Sequence, residues 1–268
     1  MKKHMQILPV FLVAVVALIL GAAVPRVQAQ NEPPVCWFNI ELNGSEIDVG
    51  VRGFFDYEPW KMLTIEDPDG NVIDTDTMEN SMEEQGKAEF FFESGEPVIG
   101  EDDFTLSVFL NRFPEGDYDF DAVTIEEDEV ECHEYFSHAM PCAAEVCASG
   151  STSTGVTINW DPVTQVVDAA ATDDTGGEEL VCTDPHPKGA FKIVGYEVIV
   201  EIDESGKIFD INLPPSATSV TVPPEFIKGN EKKDFKYEVL AIEASGNQTT
   251  IEEHFGLDHD GNVTPSCD

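Results

Sequence analysis

Positive charge is the property that this sequence has least of. Among 268 residues, 14 are Lys or Arg and 53 are Asp or Glu, which gives a formal charge of -39 and a pI near 4.1. Nucleic acids and anionic membrane surfaces are bound by clustered Lys and Arg, so this chain would repel both at long range. The charge therefore argues against nucleic acid as a partner and favours cations and basic proteins.

The sequence also lacks the short motifs of common catalytic sites. It has no Gly-x-Ser-x-Gly elbow, no His-Glu-x-x-His pair, no phosphate-binding Gly loop and no dinucleotide fingerprint. Glycoside hydrolysis needs two carboxylates at a set separation, and the fold rather than the sequence determines that separation. With 53 acids in the chain, the sequence alone does not identify such a pair. We therefore expect a protein that is not an enzyme, and a small glycoside-type hydrolase is the catalytic alternative.

A long apolar run occurs only at the N-terminus. Residues 1–29 start with two lysines after Met1, continue through an apolar stretch and end in Val-Gln-Ala at 27–29. This pattern is typical of a signal peptide, so we expect cleavage after Ala29 and a secreted or periplasmic product. Cleavage would remove three bases and no acid, which takes the formal charge from -39 to -42. No later run has spanning length, and we expect no membrane insertion after cleavage.

Six cysteines in an exported chain predict disulfide bonds. They are Cys36, Cys132, Cys142, Cys147, Cys182 and Cys267. We favour a Cys36–Cys132 pair, which would join the first and last strands of an N-terminal domain. For the other four we favour Cys142–Cys147 and Cys182–Cys267. Other pairings stay open, because spacing alone does not decide connectivity.

A transition-metal site is the alternative interpretation of the middle cysteines. His133 and His138 lie among Cys132, Cys142 and Cys147, and all five are capable zinc ligands. The spacing contains no Cys-x-x-Cys pair, so disulfides remain the favoured interpretation.

Residues 35–140 show the alternation of an immunoglobulin-like β-sandwich, with turn residues between the segments. The predicted strands are Cys36–Leu42, Glu46–Phe55, Lys61–Glu66, Val72–Thr75, Ala88–Glu93, Tyr118–Glu126 and Val130–Phe136. Apolar residues at helical spacing predict one short helix between Thr105 and Phe113. Tyr118 follows a Pro-Glu-Gly-Asp turn and resembles the tyrosine whose hydroxyl fastens a loop in many immunoglobulin-like domains. A small polar run then predicts a linker at 141–155.

The second half contains four segments that resemble a fibronectin type III domain. They are Val156–Pro162 with Trp160 as strand B, Ile193–Val200 with Tyr196 as strand C, Ser219–Pro224 as strand E, and Phe235–Asn247 with Phe235 and Tyr237 as strand F and its turn. The resemblance covers about 155 to 255 and implies an all-β fold. We place the domain at 156–257, followed by a C-terminal tail at 258–268. Trp160, Tyr196, Phe235, Tyr237 and Tyr118 are the expected structural core.

Two departures from this family pattern are visible. Phe235 stands where the family has a tyrosine, so its hydroxyl bond must be replaced or lost. The link between strands B and C, residues 163–190, is much longer than usual and carries Asp168, Asp173, Asp174, Glu178, Glu179, Cys182 and His186. Long loops are functional or disordered more often than short ones, and a solvated acidic loop is the alternative to a binding site.

Calcium is the ion that the acidic segments favour, although no complete calcium loop is present. Asp258, Asp260 and Asn262 resemble half of such a loop, and Asp173 and Asp174 lie in the acidic insertion. We expect no cofactor and favour a simple polar tail at 258–262, and calcium at these five positions is the alternative.

The fold class expected is therefore all-β, with two β-sandwich domains, immunoglobulin-like and then fibronectin type III, after a signal peptide. This layout resembles exported bacterial proteins and implies no activity. Our hypothesis is a secreted, non-catalytic binding or structural protein that presents sandwich loops to an extracellular protein or carbohydrate. The alternative is a calcium-dependent or carbohydrate-binding accessory module.

Overall fold

The computed structural model describes residues 32–185, 191–203 and 205–267. The expected signal peptide at 1–29 and His186 lie outside these residues. In chain order the strands and helices are β1 (Val35–Asn43), β2 (Asp48–Glu66), β3 (Val72–Thr77), α1 (Ser81–Gln85), β4 (Lys87–Glu93), α2 (Leu106–Arg112), β5 (Gly116–Thr124), β6 (Glu129–Phe136), β7 (Val146–Ser151), β8 (Gly155–Trp160), β9 (Val166–Val167), α3 (Ala169–Asp174), β10 (Cys182–Thr183), β11 (Ile193–Ile202), β12 (Lys207–Leu213), β13 (Ser219–Val222), α4 (Pro224–Ile227), β14 (Phe235–Glu243), β15 (Gln248–Leu257) and β16 (Val263–Thr264).

The N-terminal half is organised around the long strand β2. Its first part pairs with β1 and β4, and its last part pairs with β3 and β5. The two predicted strands in this region are therefore one strand that passes through Pro59, where the register with β4 shifts between Asp56 and Trp60. The first part of β2 belongs to one layer of the sandwich and its last part belongs to the other layer. Side chains from both layers enclose one core. Its large members include Phe38, Phe55, Trp60, Tyr118, Phe120 and Phe136.

The C-terminal half packs a sheet of order β12-β11-β14-β15 against a smaller sheet of order β13-β8-β7. Their inward side chains form a second core that contains Trp160, Tyr196, Phe235 and Tyr237, all at most 4% exposed. Strands β8, β11, β13 and β14 coincide with the four segments that resemble a fibronectin type III domain. The expected all-β sandwich fold class is confirmed by this arrangement.

The expected linker at 141–155 is wrong in its middle part. Residues Val146–Ser151 form β7, which pairs with β8 along its whole length, and Ala148 is buried in the second core. The sequence did not predict this strand, because the residues at 149–154 are small and polar and lack the β-branched and aromatic side chains that are enriched in strands. The C-terminal residues are also structured, since β16 pairs with the end of β15.

The two halves share one continuous sheet. Strand β1 of the first half runs parallel to β15 of the second, with Glu41 opposite Gln248. Next to this pairing, the fully buried Asn247 accepts a hydrogen bond from the Ile40 amide and donates two bonds to the carbonyls of Ser137 and Ala139. A buried amide with three backbone partners fixes the junction between the halves.

Of the three disulfide pairs expected from the sequence, one is present and two are wrong. Cys36–Cys132 is present, with an S–S distance of 2.01 Å. The other bonds are Cys142–Cys182 and Cys147–Cys267 rather than the pairs favoured from the sequence. The reason is β7: once residues 146–151 form a strand, Cys147 lies in a sheet beside the C-terminal segment and cannot close a small loop with Cys142.

The local features predicted for the N-terminal half are present. Helix α2 covers the segment expected to be helical, and the Thr105 hydroxyl caps it by accepting from the Val108 amide at 3.1 Å. The Tyr118 hydroxyl donates to the Pro114 carbonyl at 3.2 Å. The side chain of Tyr118 is otherwise buried, and burial raises the pKa of its phenol. Among the described residues, no helix has the length and apolar character needed to cross a bilayer.

Candidate functional site

A row of aromatic side chains lies on the outer face of the N-terminal half. Trp37 on β1 stands opposite Phe54 on β2, and Phe54 stands opposite Phe91 on β4. The Trp37 and Phe54 rings are stacked, with centroids 5.4 Å apart, and Trp37 meets Phe91 edge-on at 6.0 Å. Phe91 is 51% exposed. We call Trp37, Phe54 and Phe91 the aromatic row.

The rows on either side carry charge. Arg52 lies next to the aromatic row, with its guanidinium carbon 5.7 Å from the Trp37 ring centroid. It bonds to Asn39 and forms an ion pair with Glu41 at 3.1 Å, and Glu93 stands opposite it on β4. On the other side of the row, Asp56 and Glu89 stand opposite each other and both are exposed. The aromatic row is therefore apolar at its centre and mainly acidic at its rim.

Strand β4 is held in place by its inward side chains. Phe92 lies across Gly53 so closely that a Cβ atom there would come within 2.2 Å of the Phe92 ring. Phe90 and Phe92 are partly buried against the first core and contact each other at 5.6 Å. Glycine at position 53 thus permits the close packing that aligns β4 with β2.

Several carboxyl groups lie close together between Arg52 and the turn that joins β1 to β2, among them Glu41, Asp48 and Glu96. Burial raises the pKa of Glu41, and the pKa of Glu96 is raised by burial and by the neighbouring acids Glu41 and Asp48. Asp48 is 7% exposed, and burial with repulsion from Glu46 raises its pKa to about 6. Ionised acids are thus crowded in this region, and Arg52 is the cation that partly neutralises them.

The outer face of the C-terminal half is polar by contrast. Lys236 lies at its centre, with Glu238 at 2.7 Å, Glu201 at 3.3 Å and Glu252 at 3.4 Å. Its hydrogen bond to Glu238 is the main reason that its pKa is raised. This face is charged, and among the described residues it presents no group of stacked rings comparable to the aromatic row.

The calcium candidates of the C-terminal segment form a hairpin turn. The Asp258 carboxylate accepts hydrogen bonds from the amides of Asp260 and Asn262 at 2.9 and 2.8 Å. The bond from the Asn262 amide is the main reason that the pKa of Asp258 is lowered. Asp67 makes the same pair of bonds in the Asp-Pro-Asp-Gly-Asn turn at 67–71. The half calcium loop is therefore a second copy of a turn motif.

The two candidates in the insertion do not converge with these residues. Asp173 accepts bonds from the amides of Leu106 and Ser107 at 2.7 and 3.1 Å, which caps α2 from across the fold. Asp174 is exposed at the end of α3. Within the described ranges, no three His, Cys, Asp or Glu side chains are placed to hold one metal ion.

The transition-metal interpretation of the middle cysteines is wrong. All three of its cysteines are in disulfides, which removes the thiolate ligands. His133 pairs with Asp119 at 2.6 Å, and Nε2 of His138 lies 2.7 Å from the Phe113 carbonyl. The hydrogen bond to Asp119 raises the pKa of His133.

The described part of the long insertion folds back onto the chain. Asp168 caps α3 by accepting from the Ala171 amide at 3.0 Å, and β10 pairs with β9. Cys182 ties this segment to Cys142 rather than to the C-terminus. Glu178 and Glu179, the other acids of the insertion, form no cluster with a third ligand in the region that is described.

The aromatic row was not found from the sequence, although a signal exists. A strand with one solvated face alternates apolar and polar residues. Consecutive aromatics at 37–38, 54–55 and 90–92 break that alternation, so one ring of each group must face outward. Three such breaks on neighbouring strands would have indicated an outward cluster.

No family model matches this chain, and no curated protein matches it. Among solved structures, a two-domain fibronectin type III segment of chicken tenascin aligns with TM-score 0.27 and 11% identity, over 83% of this chain and 98% of that one. A bacterial ice-binding adhesin of 1.5 MDa gives 0.24 and 10%, over 84% of this chain and 64% of the other. A biofilm-associated protein gives 0.24 and 11%, over 82% and 29%. The fold assignment therefore depends on the strand order of this chain.

Proposed function

We propose that this is an exported, non-catalytic binding protein that contacts an extracellular partner through the aromatic row. The observation that supports this most is the group of three aromatic rings on an outer sheet face, where Phe91 is exposed and Trp37 and Phe54 are partly exposed. Aromatic side chains outside a core are enriched at binding surfaces, because they combine large apolar area with little conformational freedom. The three strands below them are hydrogen-bonded into a sheet, so the rings are ordered before a partner arrives.

A carbohydrate-binding accessory module is the second candidate. Sugar rings stack on exposed aromatic faces, and the neighbouring Arg52 and Glu93 could bond to hydroxyl groups. Dependence on calcium has less support, because Asp258 and Asn262 serve a turn and Asp173 caps α2. A carbohydrate ligand would use the same aromatic row, so one set of variants tests both candidates.

The experiment is a binding screen of the mature protein on arrays of basic peptides, acidic peptides and glycans. We expect a ligand class whose binding weakens about tenfold or more in Phe91→Ala, which corresponds to about 1.4 kcal/mol. The matched control is Ile208→Ala, because Ile208 on β12 is 58% exposed and lies on the other half. Binding that Phe91→Ala leaves intact would refute the proposed surface. Release of sugar from the glycan array would instead refute the non-catalytic assignment.

A further inference from the structure

The aromatic row ends at a free sheet edge. Strand β4 pairs with β2 on one side, and no other strand among the described residues pairs with its second side. Sheet edges expose unpaired amide and carbonyl groups, which can accept another strand. The sequence Phe-Phe-Phe at 90–92 is therefore at an edge, where natural proteins usually place protective charge.

The direction of the β4 backbone groups follows from one hydrogen bond. The Ser94 amide donates to the Val51 carbonyl at 2.9 Å, so Ser94 points its backbone groups towards β2. In an antiparallel ladder this direction alternates from residue to residue. The amide and carbonyl groups of Glu93, Phe91 and Glu89 consequently face away from β2, towards solvent.

The same three residues also point their side chains to the outer face. Phe91 is opposite Phe54, and Glu89 and Glu93 are opposite Asp56 and Arg52. A strand added at this edge would place every second side chain beside Glu89, Phe91 and Glu93. Its best sequence would have a base, an apolar residue and a base at these positions, because opposite charges attract across strands and apolar side chains pack on aromatic rings.

We propose that β4 is a strand-addition site for an extended, basic segment of a partner protein. This inference rests on the proposed function and specifies the partner and the mode of binding. The segment would continue the sheet by backbone hydrogen bonds to Glu89, Phe91 and Glu93, while its two bases pair with the carboxylates and its central residue covers Phe91. The formal charge of -39 would steer such a segment towards the protein.

A second copy of this chain fits the edge poorly. Antiparallel pairing of two β4 strands centred on Phe91 would place Glu89 of one copy opposite Glu93 of the other, twice. Like charges directly opposite on neighbouring strands are destabilising. The high negative charge of the whole chain adds long-range repulsion between copies. The occupant is therefore a basic strand of another protein.

The test uses two capped heptapeptides of equal composition, titrated into the mature protein by calorimetry. Thr-Lys-Thr-Val-Thr-Lys-Thr places both lysines and the valine on one face of a strand, whereas Lys-Thr-Thr-Val-Thr-Thr-Lys places the lysines on the opposite face from the valine. We expect the first peptide to bind at least about tenfold more tightly. Equal binding of both peptides, or no binding of the first at millimolar concentration, would overturn the proposal.

Three protein variants define the mode of binding. Phe91→Pro removes one outward amide but leaves the ladder to β2 intact, and Phe91→Ala keeps that amide. We expect the proline variant to bind the first peptide several-fold more weakly than the alanine variant. The double variant Glu89→Lys and Glu93→Lys should reverse the preference, so that Thr-Glu-Thr-Val-Thr-Glu-Thr binds and the lysine peptide does not. This reversal needs no proline and stays informative if Phe91→Pro unfolds.

The outcomes separate this inference from the proposed function. A ligand from the array screen that Phe91→Ala weakens but that neither Phe91→Pro nor the charge reversal weakens further would refute strand addition and leave the aromatic row as a binding surface. A glycan with that behaviour would favour the carbohydrate candidate. Dimerisation in sedimentation that Phe91→Pro abolishes would show that the occupant is a second copy, which also contradicts the proposal.

Discussion

The two halves of this protein share one sheet but present different chemistry on its outer face. In the C-terminal half, Lys236 lies among three glutamates at 2.7 to 3.4 Å, so the centre of this face is charged. In the N-terminal half, Trp37 stacks on Phe54 and meets Phe91 edge-on at the surface, beside an acidic rim. Exposed ion pairs add little to stability or to affinity, whereas exposed stacked rings gain free energy when another surface covers them. This difference supports the proposal that the N-terminal half contacts the partner.

The largest expected effect separates the core of the N-terminal half from its outer face. Phe38 and Phe91 are both phenylalanines, but Phe38 is 1% exposed and packs on Tyr118 at 4.5 Å. Phe38→Ala should lower the free energy of unfolding by about 4 kcal/mol because it leaves a cavity. Phe91→Ala should lower it by less than about 1 kcal/mol, because its ring is half exposed in the folded state. Urea denaturation measures both, and equal losses would show that Phe91 has a structural role.

The next largest effect concerns the junction between the halves. Asn247→Ala leaves the Ile40 amide and the carbonyls of Ser137 and Ala139 without their partner. We expect a loss of about 3 kcal/mol in the free energy of unfolding, since each unpaired buried group is costly. Asn212→Ala, at an exposed position on β12, is the matched control and should be nearly neutral. A loss below about 1 kcal/mol for Asn247→Ala would mean that the halves are not joined as described.

A smaller effect compares the two Asp-x-Asp-Gly-Asn turns. Asp67→Ala and Asp258→Ala each remove two hydrogen bonds to backbone amides, so each should lower the melting temperature, by less than Asn247→Ala does. If both turns are purely structural, millimolar calcium at fixed ionic strength should leave the melting temperature of wild type and variants unchanged. A saturating rise in wild type that Asp258→Ala abolishes would restore the calcium hypothesis for the C-terminal turn.

The smallest effect is a pH dependence that belongs to the acidic region near Arg52. The pKa of Asp48 is raised to about 6, above its usual value near 4 in an unfolded chain. The folded state therefore binds the proton more tightly, and the free energy of unfolding contributed by this group falls as the pH rises from about 4 to 6. Asp48→Asn should flatten the decline in melting temperature between about pH 4 and 6.

Glu126→Gln, an identical charge change at an exposed turn position, is the control for that experiment. It should leave the slope of melting temperature against pH close to that of wild type. If both variants flattened the slope equally, the pH dependence would come from the overall negative charge rather than from Asp48.

Periodicity predicted the strands and the sandwich class, because burial on one face dictates alternation. Periodicity did not predict the continuity of β2 or the pairing of four cysteines, for identifiable reasons. The continuity of β2 was missed because Pro59 reads as a strand break, although the strand bends there and passes to the other layer. The two disulfides of Cys142 and Cys147 were mispaired because spacing carries no information about which sheet a cysteine joins.

The candidate site was harder to predict than the fold. Trp37, Phe54 and Phe91 come from three strands, and their contact depends on strand register that the sequence does not state. The acids singled out in the sequence are by contrast local turn and cap residues, such as Asp258 and Asp173. Acidic side chains near Gly and Asn are common in turns, so this signal points to turns more often than to ligands.

The most direct test of the central claim is amide hydrogen exchange of the ¹⁵N-labelled mature protein, alone and with the peptide Thr-Lys-Thr-Val-Thr-Lys-Thr. The account predicts that the amides of Glu89, Phe91 and Glu93 exchange rapidly in the free protein and become protected with the peptide, while Phe90, Phe92 and the edge strand β12 do not change. Protection that appears on β12, or at no amide of β4, would contradict strand addition at the edge of the N-terminal half.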